Sequence, residues 1–296
     1  MAPFDKSVQR KSRFPGLSRI KEAVIVFREQ AFRCCLSFVL LTAITFSLPG
    51  SVDDVGASQN SRNASAAATK WTAPDPATIP EGPLGDSIRV GLHVFDETPK
   101  YAAQYVGNQM SCGHCHINSG TLAGAMPIVG VPGMFPVFRE REKTVVTFEE
   151  RIEQCFQRSE HGHRVPNDDP IMVGLVAYAQ WLSKDQMTGR PFPGRGLVKL
   201  PELSGDRERG SGIYVQQCAV CHKLEGVGKP PAIPALWGPG AYDAGAGMND
   251  IAKMAAFVQH NMPQNSPGSL TAQQAYDVSA FIQSKPHEPF IMKDHQ

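Results

Sequence analysis

The chain has 296 residues and a hydrophobic content of 42%, enough for one large or two small domains with real cores. A formal net charge of +1 leaves no basic surface of the kind that grips nucleic acid, so no nucleic-acid partner is expected. The charge is uneven: residues 1–57 hold eight Lys/Arg and five Asp/Glu, and the remainder holds 21 against 23.

The first element reads as an export signal. Lys6, Arg10, Lys11, Arg13, Arg19, Lys21, Arg28 and Arg33 precede an uncharged run from Cys34 to Gly50 that ends at Pro49-Gly50. The apolar part is short for a membrane span, so residues 1–50 are expected to be a signal peptide, with an uncleaved anchor as the alternative. A membrane is involved only in the second case. The expected compartment is the periplasm. Residues 51–84, rich in Ser, Ala and Asn and then broken by Pro74, Pro76, Pro80 and Pro83, read as a flexible tether.

Two copies of a Cys-x-x-Cys-His motif follow: Cys112-Gly113-His114-Cys115-His116 and Cys218-Ala219-Val220-Cys221-His222. This is the attachment signature of c-type haem, in which two thiols bond the porphyrin and the adjacent histidine ligates iron. The expected cofactors are therefore two covalently bound haem c groups, with His116 and His222 as iron ligands. A redox dithiol or half of a zinc site is the rival reading. Haem attachment normally follows export, so the two signals agree.

Each motif is followed, about fifty residues on, by a helix with a clear start. Asp169 with Pro170 caps one that runs through Ser183; Thr271 with Gln274 forms a capping box for the other. Gly194 to Arg209 reads as a linker. The expected fold is mostly α, with two tandem cytochrome c-like haem domains at 85–196 and 197–296. In such domains an N-terminal helix runs into the haem motif and a C-terminal helix packs across it.

The second ligand of each iron separates the copies. Met262-Pro263 lies 40 residues beyond His222, and a thioether there raises the potential. Its rivals are Met248, Met254, Lys253 and His260. The first unit has no Met-Pro at that distance; Met126-Pro127, ten residues past His116, is too near to cross a haem. What stands 39 residues past His116 is Cys155. A thiolate there stabilises ferric iron and lowers the potential. A buried free thiol, or a His/His site using His161 or His163, are the alternatives.

Thr147 and Glu150 form a capping box that starts a helix through Ser159. On it Arg151, Cys155 and Ser159 recur every four residues and share a face, flanked by Arg158 and preceded by Arg139 and Arg141. Cations lower a thiol's pKa, and guanidinium forks suit an oxyanion such as a sulfonate. Pairing of these arginines with neighbouring glutamates or haem propionates is the plain alternative.

Several stretches now resemble one family, the dihaem thiosulfate dehydrogenases, over roughly residues 80 to 285. They are Tyr105-Val106-Gly107-Asn108 before the first motif, Phe135-Pro136-Val137-Phe138-Arg139-Glu140-Arg141, and the string from Glu150-Arg151 through Cys155-Phe156 to Arg158-Ser159. Leu236-Trp237-Gly238-Pro239, Gly245-Ala246-Gly247-Met248 and Asn261-Met262-Pro263 complete the set. The resemblance implies His/Cys ligation at the first haem as the active site. It also implies that thiosulfate is held by Arg141, Arg151 and Ser159. The implied reaction converts two thiosulfate to tetrathionate, in either direction, with electrons passed through the second haem to a soluble or membrane-bound cytochrome c. His161 departs from the asparagine expected after that string, and Asn261 stands where some members carry a lysine. A pure electron-transfer cytochrome, or the Cys-ligated haem subunit of a sulfur-oxidising thiosulfotransferase, are the competing functions.

Overall fold

The computed structural model describes residues 71–290. The expected export segment, Cys34 and Cys35, and the tether up to residue 70 lie outside the described residues. The end of the expected tether is structured. Trp71 packs edge-on against Phe192 with ring centroids 5.1 Å apart, Ile79 is buried, and Asp75 caps a short turn at Pro76–Thr78. Ile79 reaches the first core and the half-buried Trp71 packs on Phe192, so the stretch does not behave as a spacer.

Helix α1 (Pro83–Asp96) begins with proline at its first turn and buries Ile88, Val94 and Phe95. A hairpin of β1 (Val137–Arg139) and β2 (Thr144–Val146), with Phe138 opposite Val145, then leads into α2 (Phe148–Arg158). Helix α3 (Pro170–Leu182) starts at Asp169, whose carboxylate accepts from Ile171 N–H. Helix α4 (Arg207–Ile213) continues through a wider turn, Tyr214–Cys218, into Ala219–His222. Helix α5 (Ile251–Asn261) and α6 (Ala272–Gln283) follow, and α6 carries the capping box expected at Thr271.

Two crossings organise the chain. Helix α3 packs across α1 where Gly91 meets Gly174; a Cβ at residue 91 would overlap the Gly174 carbonyl and crowd Tyr178. Helix α6 packs across α4 at Gly210, where a Cβ would overlap the Asp277 carbonyl and crowd Phe281. Both N-terminal helices thus use a glycine to let the later helix approach. This is the crossing anticipated for cytochrome c-like domains.

The first unit departs from expectation in one respect. Its α1 ends at Asp96 and does not run into the motif at Cys112. The intervening segment returns to hold the motif: Thr98 N–H donates to Ser111 Oγ at 3.1 Å, and Cys112 N–H donates to Thr98 Oγ1 at 3.3 Å.

Two apolar cores result. One gathers Ile88, Phe95, Phe156, Leu175 and Tyr178; the other gathers Tyr214, Met254, Phe257, Tyr276 and Ile282. They interlock, because Met110, Cys115, Ile117 and Met126 of the first attachment region pack into the second core. The stretch read as a linker is also pinned. The carbonyls of Gly194 and Gly196 accept from Gly124 and Met126 N–H, and Leu197 bridges Ala125.

Candidate active site

The two motif histidines are set in the same way. His116 Nδ1 donates to the Met126 carbonyl, and His222 Nδ1 donates to the Pro234 carbonyl at 3.0 Å. A ring held through Nδ1–H keeps the Nε2 lone pair for a metal. Burial lowers the pKa of His222 and so favours its neutral form.

The first histidine opens onto a cavity with walls from Phe95, Ile128, Phe135, Phe156 and Leu175. On the same cavity lie Cys112, Cys115, Arg151, Cys155 and Ser159. Helix α2 delivers the last three, and its start is fixed by the expected reciprocal cap. Glu150 N–H donates to Thr147 Oγ1 at 3.2 Å, and Thr147 N–H donates to Glu150 Oε2 at 2.7 Å. Arg151 Nη1 donates to Cys155 Sγ at 3.0 Å.

The cavity thiols differ in charge. Burial pushes Cys112 well up and Cys115 up to about 12. Burial opposes ionisation at Cys155 too, but Arg151 and then His116 outweigh it, and the thiol falls to about 6. Cys155 is therefore a thiolate at neutral pH, and the thiolate in turn raises the pKa of Arg151.

The surrounding arginines sort by partner. Glu142 takes both Arg139, at 3.4 Å, and Arg158, at 2.8 Å; Glu140 pairs with Lys143. Arg141 and Arg151 have no carboxylate partner among the described residues. Burial and the neighbouring Arg158 lower the pKa of Arg141, as expected of a cation crowded by other cations. Arg141 does not line the cavity. Its Nη2 donates to the Gly245 carbonyl at 3.0 Å.

The second motif lies apart from this cavity, joined to the first where His114 Nε2 donates to the Pro231 carbonyl at 2.7 Å. Met262 caps the end of α5 and packs on the second core together with Cys218. Of its rivals, Met248 and Met254 are buried in that core, Lys253 pairs with Asp250 at 2.9 Å, and His260 bonds Gln259 at 2.7 Å. His161 and His163 are not among the residues lining the first cavity, and His161 faces Asp243 at 3.5 Å.

Comparison with known proteins places this geometry. Residues 99–187 match the SoxA/TsdA cytochrome c domain, and residues 207–286 match cytochrome c. Thiosulfate dehydrogenase of Thiomonas intermedia (strain K12) is 37% identical over 228 residues, covering 74% of this chain and 73% of the relative. The Stutzerimonas stutzeri (strain A1501) thiosulfate dehydrogenase is 33% identical, covering 86% of this chain and 88% of its own. The chain belongs to the thiosulfate dehydrogenase family. Among solved structures, the as-isolated thiosulfate dehydrogenase (TsdBA) from Marichromatium purpuratum superposes with a TM-score of 0.72 at 33% identity, over 78% of this chain. This chain spans about half of that longer one, 53%.

Membership makes the protein an oxidoreductase with two cytochrome c domains, and such domains imply c-type haem. The residues fit that group. Each motif offers two thiols beside a histidine whose Nδ1 is already committed, and the first cavity adds a thiolate that interacts with His116. Three residues of this site escaped sequence reasoning. Arg195 lines the cavity from the stretch read as a linker, and Glu160 lines it as a fully buried carboxyl against Cys112 Sγ. Asn108 Nδ2 ties the Ser159 carbonyl, at 2.9 Å, to the Ala241 carbonyl, at 2.8 Å. The family resemblance had touched Asn108 without giving it a task.

Proposed function

We propose that the protein is a periplasmic dihaem c-type cytochrome that oxidises two thiosulfate ions to tetrathionate. Its electrons pass to a soluble or membrane-bound cytochrome c. Residues 85–196 form the domain of the active-site haem and residues 197–296 the domain of the electron-transfer haem. Cys112 and Cys115 hold one haem covalently, Cys218 and Cys221 the other. His116 and Cys155 are the iron ligands of the first, His222 and Met262 those of the second. When bound, the haems supply the electron acceptors, one electron each, and the sulfur chemistry falls to the chain's own residues.

Arg151 and Arg141, neither of which has a carboxylate partner among the described residues, hold the sulfonate oxygens through charge-assisted hydrogen bonds. Ser159 donates a further one from its Oγ. Arg151 also keeps Cys155 ionised. The Cys155 thiolate bonds to the outer sulfur of thiosulfate, giving Cys155–S–S–SO3⁻ and releasing two electrons. A second thiosulfate then attacks that outer sulfur. The Cys155–sulfur bond breaks, S4O6²⁻ leaves, and the thiolate is restored, as in thiol–disulfide exchange. No proton is consumed, so the site needs no general acid.

The observation that carries this reading is Cys155 Sγ accepting from Arg151 Nη1 at 3.0 Å, on one cavity with His116 and Ser159. The test is an anaerobic assay with thiosulfate and an artificial acceptor, comparing wild type with Cys155→Ala protein that retains both haems. Turnover is expected to fall about 10³-fold or more. Normal oxidation by the variant would overturn the mechanism.

A further inference from the structure

The second unit sends one turn, residues 241–245, against the first, beside the C-terminal end of α2. Three ties from the first unit meet it. Asn108 Nδ2 donates to the Ala241 carbonyl at 2.8 Å, and His161 Nδ1 faces Asp243 Oδ2 at 3.5 Å. Arg141 Nη2 donates to the Gly245 carbonyl at 3.0 Å. Within the turn, the fully buried Asp243 accepts from Gly245 N–H through Oδ1 at 2.8 Å. Asp243 Oδ1 therefore anchors the N–H of the residue whose carbonyl meets Arg141, and the Asp243 backbone carbonyl accepts from Ala246 N–H at 3.0 Å, in the peptide unit that carries that carbonyl.

That carbonyl matters because of what Arg141 lacks. Its neighbours Arg139 and Arg158 are both held by Glu142, whereas Arg141 has a neutral backbone oxygen as its partner. A neutral acceptor orients a guanidinium without cancelling its charge. A carboxylate there would orient it and remove its attraction for an anion. Space beside the turn is also limited, since a Cβ at Gly245 would overlap the Phe290 ring.

We propose that Asp243 is a positioning residue for substrate. By bonding Gly245 N–H it holds the Gly245 carbonyl where it aims Arg141, so the second unit completes the anion site of the first. The inference rests on the reading that Arg141 holds thiosulfate.

The experiment measures KM and kcat for thiosulfate in the dihaem holoprotein for Asp243→Ala, Asp243→Asn, Arg141→Ala and the double variant Asp243→Ala/Arg141→Ala. Asp243→Leu takes the place of the alanine variant if that one does not fold. Asp243→Ala is expected to raise KM about tenfold with kcat within about twofold, because one charge-assisted contact is misplaced while Cys155 is untouched. Asp243→Asn retains the Oδ1 acceptor and should stay near wild type. The double variant should match Arg141→Ala, since residues acting through one contact are not additive. An unchanged KM in Asp243→Ala with a raised KM in Arg141→Ala would overturn the proposal and leave the role of Arg141 standing. Additive effects in the double variant would also overturn it. An unchanged KM in Arg141→Ala would overturn both.

Discussion

The two cytochrome c domains are built alike and equipped differently. In each, a later helix crosses an earlier one at a glycine, Gly91 under α3 and Gly210 under α6. In each, the motif histidine gives Nδ1–H to a backbone carbonyl, Met126 in one and Pro234 in the other. The units part at the position some forty residues past the histidine, where the first has Cys155 and the second Met262. They part again in charge: the first surrounds that position with arginines, while the second packs Met262 against an apolar core. The lesson is that the scaffold and the setting of the motif histidine are shared, and the units differ in one sulfur side chain and the charges around it.

The largest change to that asymmetry, short of removing Cys155, is Arg151→Ala. Losing a hydrogen bond to a charged group costs about 1.5–3 kcal/mol, and leaves burial free to push Cys155 up. The depressed thiol is ionised above about 6 and protonates as pH falls through that value. In the variant the acid limb of the pH–rate profile should move to higher pH, with kcat/KM at pH 7 down about 10- to 100-fold. An acid limb that stays in place would show that Arg151 does not set the thiolate.

The shared scaffold is tested by Gly91→Ala and Gly210→Ala. Overpacking a helix crossing costs about 1–3 kcal/mol, and the two variants should lose similar stability in denaturant unfolding of the holoprotein. A loss at only one position would break the structural equivalence of the units. The smallest effect is expected at the caps. Thr147→Ala and Thr271→Ala each remove a side-chain acceptor for a helix N–H and should cost about 1 kcal/mol. Thr147→Ala alone should also lower turnover, since its helix carries Cys155.

What the sequence made legible was local or periodic. The caps at Thr147, Asp169 and Thr271 involve residues two or three apart, and all three formed as expected. The shared face of Arg151, Cys155 and Ser159 follows from helical spacing alone. Contacts made across the fold were not legible. Asn108 meets Ala241 across 133 positions, and Arg141 meets Gly245 across 104. Nothing in either neighbourhood announces the partner. Composition misled in two places: the proline-rich stretch before Pro83 and the Gly/Pro-rich stretch around Arg195 both read as spacers. Composition reports backbone freedom in the isolated chain. It does not report the burial of Ile79, the packing of Trp71 on Phe192 or the backbone hydrogen bonds at Gly194 and Gly196 that hold these segments down.

The claim that Cys155 distinguishes the two units is tested most directly by low-temperature EPR of the oxidised holoprotein. Wild type should give one thiolate-type low-spin ferric signal beside one of His/Met type. The thiolate signal should vanish in Cys155→Ala and persist in Met262→Ala. A spectrum unchanged by Cys155→Ala would contradict the account.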